Sequence, residues 1–522
     1  MENTGVNFAR DLLDSLPPSR RALVELARDG RRREWSFGEV SERSARLAGA
    51  LALRGVRRGD VVMTLIGNRP EWVLTMLACF RLGAVVLPRT EQLRAKDLRL
   101  RFDVARPRLV VADERNRGEL HEAAVPREEL DVVFVPDDSL FDAQPAPAVE
   151  HAPGDPCLIT FTSGTAGEPK AVLHGQRYLH GQRLQATHWL GARSGELVWC
   201  TASSGWSKSA RNVFIAPWLS GACALLHDAR FDPAERLELL ARERVNVLCM
   251  APTEYRVIAK RATLQPLPDL RGMVAAGEAL NPEVLHAWRE ATGLGIRDGY
   301  GQTETGQLTG MPLHDEPRPG SMGRALPGVR LAVVDGELTL DPTTISTFFL
   351  GYLGEEAQRT DELGDTDYET GDTAVPGAPH RQSSSWRMTD RRAGGVWRTG
   401  DLVHEDEDGY LHFEGRNDDV IVSAGYRIGP FEVESALVAH PAVAEAAAVA
   451  APDEERGAVV RAIVVLRDGY APSPQLGREL QEHVKGHTAP YKYPRLLEFA
   501  RELPKTPSGK IKRAQLRDSP RS

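Results

Sequence analysis

The sequence predicts an α/β protein, with a large N-terminal domain of several sheets and a small α+β C-terminal domain. Three observations point there. Short apolar runs alternate with helical segments through the first half of the chain. A polar stretch at 355–396 interrupts that pattern. From Val420 onward a compact order of helix, strand, strand and helix resumes before a basic tail. Strands that alternate with helices build layered sheets with much parallel pairing.

The elements follow in order. Ser36-Phe37-Gly38-Glu39 is a capping-box pattern, in which serine and glutamate satisfy orphan amides at a helix start; this helix ends near Gly55. Residues 61–66 form an apolar strand, Pro70-Glu71 starts a helix that stops before Gly83, and residues 84–87 form the next strand. The runs 109–111 and 132–135 continue the series. Ala171-Val172-Leu173 reads better as a strand than as a helix start. Asp232-Pro233 caps a helix that hands over to a strand at 245–250. The segment 355–396, with its runs Asp-Glu-Leu-Gly-Asp-Thr-Asp and Arg-Gln-Ser-Ser-Ser, reads as a long surface loop or partly disordered insertion. Beyond it come a helix at 430–439, strands at 443–450 and 459–466, and a helix at 473–485. The boundary falls in Gly415-Arg416-Asn417-Asp418-Asp419, dividing residues 1–417 from 418–522.

Composition narrows the function. The chain has 522 residues, 41% of them hydrophobic and 26% charged, as expected for large soluble cores. Lys+Arg is 65 and Asp+Glu 73, a net charge of −8, which argues against a dedicated nucleic-acid binder. The five cysteines (79, 157, 200, 223 and 249) include no C-x-x-C pair and sit mostly among apolar neighbours; they read as buried thiols in a reducing compartment. The N-terminus has no basic segment followed by an apolar core, and there is no run of about 18 apolar residues. A cytoplasmic protein without a membrane span is expected.

The chemistry lies in a few motifs. Thr162-Ser163-Gly164-Thr165-Ala166-Gly167-Glu168-Pro169-Lys170 follows an apolar run. Its glycines let backbone N–H groups turn inward, its hydroxyls donate and its lysine supplies charge, as a polyphosphate requires. The spacing departs from G-x-x-x-x-G-K-[ST], so this is a nucleotide loop of another type. In Asp298-Gly299-Tyr300-Gly301-Gln302-Thr303-Glu304, the aromatic ring suits a purine and Glu304 suits Mg²⁺. Thr399-Gly400-Asp401 offers a carboxylate to a ribose, Arg416 follows, and Pro507-Ser508-Gly509-Lys510 sets one lysine on a tight turn. Taken singly, each has an ordinary reading: a turn, a core tyrosine, a solvated lysine. Their order is what chance explains poorly.

Together these motifs resemble the adenylate-forming superfamily of acyl-CoA synthetases, peptide-synthetase adenylation domains and luciferases, over about Trp35 to Arg513. The stretches 200–209, 300–306 and 488–495 look most like medium-chain acyl-CoA synthetases. The resemblance implies ATP, Mg²⁺ and coenzyme A as cofactors and co-substrates, a small-molecule carboxylic acid as partner, and a mobile small domain. It places Thr162, Ser163, Gly164, Thr165, Gly167 and Lys170 at the β- and γ-phosphates, Thr303 at the α-phosphate and Glu304 at the metal. Gly277, Glu278, Asp298 and Tyr300 would frame adenine, with Gly299, Gly301 and Gln302 among the ATP- and AMP-binding residues. Asp401 takes the ribose, Arg416 supports the nucleotide and Lys510 is the catalytic cation. Asp418 is the hinge, and Gly425, Tyr426, Arg427, Tyr491, Lys492 and Tyr493 surround coenzyme A.

For the substrate, Trp206, Ser207, Lys208, Ala276 and Gly301 line the acyl pocket. Acetate-specific relatives carry a tryptophan at the position of Gly301, so glycine implies an open pocket and a medium-chain or bulky, even aromatic, acid. Two departures stand out. Ala166 replaces the family's usual hydroxyl, a loss of roughly 0.5–1.5 kcal/mol in ATP binding. The insertion carries a second Thr370-Gly371-Asp372, but Asp401 has the family's downstream spacing. Two alternatives stay open: a ligase that loads an acyl-carrier protein, and a non-catalytic nucleotide-binding relative.

Overall fold

Two seven-stranded sheets lie back to back in the computed structural model, which describes residues 5–123, 130–162, 169–277, 280, 282–353, 395–417, 419–423, 426–454, 456–506 and 510–519. The first sheet runs, in spatial order, Gly351–Tyr352, Ala171–Gly175, Pro156–Phe161, Val85–Arg89, Val61–Leu65, Leu109–Asp113 and Asp131–Val135. The second runs Ile296–Gly299, Gly272–Ala276, Val247–Met250, Leu197–Cys200, Cys223–His227, Arg21–Leu26 and Arg32–Ser36. Most neighbouring strands are parallel, as the alternation of strands and helices predicts.

The strand sequences are apolar on both faces because both faces are covered. Val62, Val86 and Val111 of the first sheet and Val198, Val247 and Val274 of the second share the central core with Trp72, Phe214 and Trp218. The alternate residues Met63, Leu65 and Val110 face Leu98 and Phe102. Leu225, Leu248 and Met273 face Leu240, Tyr255 and Trp288. All five cysteines are buried free thiols.

The predicted helix starts are present. Ser36 and Glu39 close a capping box on Phe37–Leu53, Pro70 opens Pro70–Leu82, and Asp232 caps Pro233–Arg242. Helix Pro70–Leu82 stops at Gly83, whose φ of 76° is the left-handed conformation that glycine adopts without strain. The two strands before Ser36 escaped the sequence reading, since Arg32–Ser36 is a charged, largely exposed edge.

A four-stranded antiparallel sheet (Leu331–Val334, Glu337–Leu340, Trp397–Glu405, Leu411–Arg416) leads to the small domain. There helices Pro430–Ala439 and Pro474–His487 pack on strands Val443–Asp453 and Gly457–Leu466. A third strand, Leu496–Ala500, pairs parallel to the second and was not anticipated. The anticipated insertion lies, from 354 to 394, outside the described residues. No helix among the described residues is long and apolar enough to cross a membrane.

Ser36→Ala removes the acceptor of the Glu39 N–H bond at 3.2 Å. It should destabilise the large domain by about 1 kcal/mol, read as a lower urea midpoint; an unchanged midpoint would mean that packing alone fixes this helix start.

Candidate active site

The site grows from the carboxyl ends of two parallel strands, where open α/β sheets place their ligands. Gly272–Ala276 and Ile296–Gly299 run side by side, with Ala275 opposite Asp298 and Ala276 opposite Gly299. Beyond them the chain forms a tight hairpin, Gly301–Gln302 against Gly306–Gln307. A Cβ at Gly301 would collide with the Gly306 carbonyl, and one at Gly299 with Gln307. The missing side chain at Gly301 therefore serves this backbone contact. The same contact leaves no room for a larger side chain at this position.

Asp401 is the hub. It is 3% exposed and sits on strand Trp397–Glu405 opposite Arg416. Arg416 Nη1 meets its Oδ1 at 3.1 Å. Gln302 Nε2 donates to its Oδ2 at 2.8 Å and to the Thr399 carbonyl at 2.8 Å. The Tyr300 hydroxyl also donates to Oδ2. Burial pushes the Asp401 carboxyl above its ordinary range, while Arg416, Tyr300 and Gln302 pull it back. Burial and the adjacent Asp401 carboxylate keep the Tyr300 phenol protonated.

A second cluster adjoins it. Glu304 accepts a hydrogen bond from the Tyr352 hydroxyl at 2.9 Å, and its carbonyl accepts from Phe349 N–H at 2.8 Å. Lys170 Nζ lies 4.7 Å from the centre of the Tyr352 ring. The Lys170 N–H donates to Thr162 Oγ1 at 3.0 Å, and Thr162 N–H donates to the Lys170 carbonyl at 2.9 Å. These two residues thus clasp the base of the predicted phosphate loop. Ser163, Gly164, Thr165 and Gly167 lie outside the described residues, as do Glu278, Asp418 and Gly425. Beneath Thr303, buried His174 meets the backbone of Thr303 and Thr347, and burial lowers its pKa to about 3, so it is neutral.

Lys208 reaches the same strand ends. Its ammonium donates to the Ala276 carbonyl at 2.6 Å and lies 3.0 Å from where a Gly277 Cβ would stand. Gly277 has a φ of 98°, a second reason for glycine there. Loss of hydration pushes the Asp298 carboxyl up to about 8, against the pull of its bond from Gly299 N–H at 2.8 Å and the Lys208 charge. Ala276 is buried, and Trp206 and Ser207 are half-buried.

In the small domain, Tyr426 stacks on Tyr491 with ring centres 4.4 Å apart. Lys492 pairs with Glu432. It lines, with Glu283, Ser435, His487 and Thr488, a cavity of about 350 Å³ between helix Pro430–Ala439 and helix Pro282–Thr292 of the large domain. Tyr493 is drawn elsewhere: its hydroxyl accepts from Arg495 Nη1 at 2.9 Å, and Lys485 Nζ lies 4.3 Å from its ring. The Arg427 backbone is in strand Tyr426–Ile428. Lys510 closes a turn with Thr506, donating its N–H to Thr506 Oγ1 at 3.1 Å and accepting from Thr506 N–H at 2.7 Å. This tail packs on the small sheet through Leu503, Ile511 and Leu516.

Sequence reasoning missed Tyr352 and His174. Gly351-Tyr352 follows Phe348-Phe349-Leu350 and reads as the end of an apolar run; nothing local signals a contact 48 positions away.

Its relatives place the chain among AMP-forming enzymes of the acyl-CoA synthetase class. The family description "AMP-binding enzyme" matches residues 14–344, and "AMP-binding enzyme C-terminal domain" matches 432–510. The chain belongs to the AMP-binding enzyme family. It is 37% identical to acyl-coenzyme A synthetase ACSM3, mitochondrial, of Rattus norvegicus, over 98% of this chain and 90% of that one. It is also 37% identical to the uncharacterized acyl-CoA ligase YtcI of Bacillus subtilis (strain 168), over 95% of this chain and 92% of that one. Among solved structures, the Brucella canis acyl-CoA synthetase is 33% identical with a TM-score of 0.71, covering 99% of this chain and 94% of that one. The anthranilate CoA ligase AuaEII, solved with anthranoyl-AMP, is 27% identical with a TM-score of 0.83, covering 98% and 97%.

The raised Asp298 acid gives a pH signature. The folded protein binds this proton more tightly than the unfolded chain, so Asp298's contribution to stability falls as pH rises from about 4 to about 8. Asp298→Asn removes that penalty. Its melting temperature should gain on the parent's across this window and level off above it; a constant gap would refute the shift.

Proposed function

We propose that the protein is an ATP-dependent acid–thiol ligase. It activates a medium-chain or bulky, including aromatic, carboxylic acid as acyl-AMP and transfers the acyl group to coenzyme A, releasing AMP and pyrophosphate. The observation that carries this reading is the Asp401 hub, which binds Arg416, Tyr300 and Gln302, the last of these two residues before Glu304. Ribose-, metal- and phosphate-directed groups thus share one edge. The names of the relatives, acyl-CoA synthetases and CoA ligases, support coenzyme A over a carrier protein as acceptor. A cytoplasmic setting and a role in fatty acid metabolism belong to the proposal.

The residues fit Mg²⁺. Glu304 is a hard oxygen donor beside the phosphate loop, and no cluster of three or more His, Cys, Asp or Glu side chains suited to a metal occurs among the described residues. One carboxylate plus substrate phosphates is how Mg²⁺ is usually held, and the ion would neutralise phosphate charge.

In the first half-reaction an acid oxygen attacks the α-phosphorus and the bond to pyrophosphate breaks. Catalysis here is positioning and charge stabilisation. Thr162, Ser163, Thr165 and Lys170 hold the β- and γ-phosphates, and Thr303 contacts the α-phosphate. Gly277, Glu278, Asp298 and Tyr300 frame adenine, Asp401 accepts from the ribose hydroxyls, and Lys510 offsets charge between carboxylate and phosphate. The thiol then attacks the acyl carbonyl and AMP leaves. Lys510 must withdraw for this, by rotation of the small domain about Asp418. The flanks of Asp418 suit a pivot. Asn417 N–H donates to Gly400 at 2.8 Å and Asp419 N–H to Arg416 at 3.0 Å, both in the large domain, while the Asp419 carboxylate meets Arg513 at 3.8 Å and Arg517 at 3.5 Å in the small one. Gly425, Tyr426, Arg427, Tyr491, Lys492 and Tyr493 then serve the coenzyme A arm.

Pyrophosphate release across acetate, butyrate, octanoate, palmitate and benzoate tests the reading: octanoate or benzoate should lead, and acetate leading would contradict it. Lys510→Ala should abolish adenylation yet leave transfer from supplied acyl-adenylate largely intact; equal loss of both steps would contradict the two-state lysine. Asp401→Ala should raise the apparent KM for ATP, and Asp372→Ala should not.

A further inference from the structure

We infer that Tyr352 is a positioning residue that couples the metal carboxylate to the phosphate-loop lysine. Its hydroxyl donates to Glu304 Oε1 at 2.9 Å, and its ring carries Lys170 Nζ at 4.7 Å, within cation–π range. One side chain thus touches two groups that come from different parts of the chain.

The local fold explains why Tyr352 can hold both. Gly351–Tyr352 is an antiparallel strand on the edge of the first sheet, pairing Tyr352 with Val172, two residues beyond Lys170. Leu350 and Leu353 N–H groups donate to Leu173 and Ala171 carbonyls at 2.7 and 2.9 Å, so the tyrosine's backbone moves with the end of the phosphate loop. Phe349 stands edge-on to Tyr352 at 5.0 Å and to Trp397 at 5.4 Å, and its N–H holds the Glu304 carbonyl at 2.8 Å. The strand therefore binds Glu304 twice, through backbone and side chain. A donor on one carboxylate oxygen orients the group while leaving further acceptor positions for a cation. The ring meanwhile holds the lysine's charge on the same side chain whose hydroxyl orients that carboxylate.

The inference rests on the proposed function, which assigns Lys170 to phosphate and Glu304 to Mg²⁺. The test is calorimetric binding of ATP to the full chain without acid, in Mg²⁺ and in EDTA. Tyr352→Phe keeps the ring and deletes the hydroxyl. It should weaken ATP binding roughly three- to tenfold in Mg²⁺ and leave binding in EDTA unchanged. Tyr352→Leu should weaken binding in both media. A tyrosine that only fills space would show no difference between media for Tyr352→Phe, and that result overturns the inference. The isosteric Phe variant carries the test if the Leu variant does not fold. Parent protein that binds no ATP, or Glu304→Gln that leaves the Mg²⁺ gain intact, would instead sink the proposed function. A gain lost in Glu304→Gln but kept in Tyr352→Phe sinks the role of Tyr352 alone.

Discussion

One buried carboxylate ties this site together. Asp401 draws in a tyrosine hydroxyl and an amide from the hairpin after the second sheet, and a guanidinium from the neighbouring strand. Burying a charge is costly unless it is paired and hydrogen-bonded, so these partners are as much a condition of the fold as a feature of the site. They dock the four-stranded sheet onto the strand ends where Asp298 and Gly277 emerge.

The two parallel sheets supply the rigidity behind this. Each is apolar on both faces and covered on both faces, so the loops at the strand ends project from fixed positions. The small domain is built separately around its own core. It joins through a short segment in which Asp419 is held by its backbone to Arg416 of the large domain and by its carboxylate to Arg513 and Arg517 of the small one. A rigid shelf and a separately folded domain that carries Lys510 suit the proposed two-step reaction, in which that cation serves one step and leaves for the next.

What was legible in the sequence was local. Ser36, Pro70 and Asp232 mark helix starts because a cap is satisfied within a few residues. The motif residues were legible because spacing along a turn survives in one dimension. Contacts between distant segments were not. Tyr352 meets Glu304 only after the edge strand pairs with Ala171–Gly175, and no periodicity encodes that. Strand Leu496–Ala500 was hidden for the same reason: it is half-buried and defined by its parallel partner. The nearness of Gly306 to Gly301 was hidden as well, because the sequence shows a missing side chain but not the backbone that faces it.

In the proposed reaction Asp401 exchanges its internal donors for the ribose hydroxyls of the nucleotide. Calorimetric binding of AMP and of its 2′,3′-dideoxy analogue to the parent and to Asp401→Ala forms a double-mutant cycle on that contact. Removing the hydroxyls should weaken binding to the parent by roughly ten- to a hundredfold, the scale of hydrogen bonds to a charged group, and should change binding to Asp401→Ala little. Equal losses in both proteins would contradict the exchange and leave Asp401 a purely structural carboxylate.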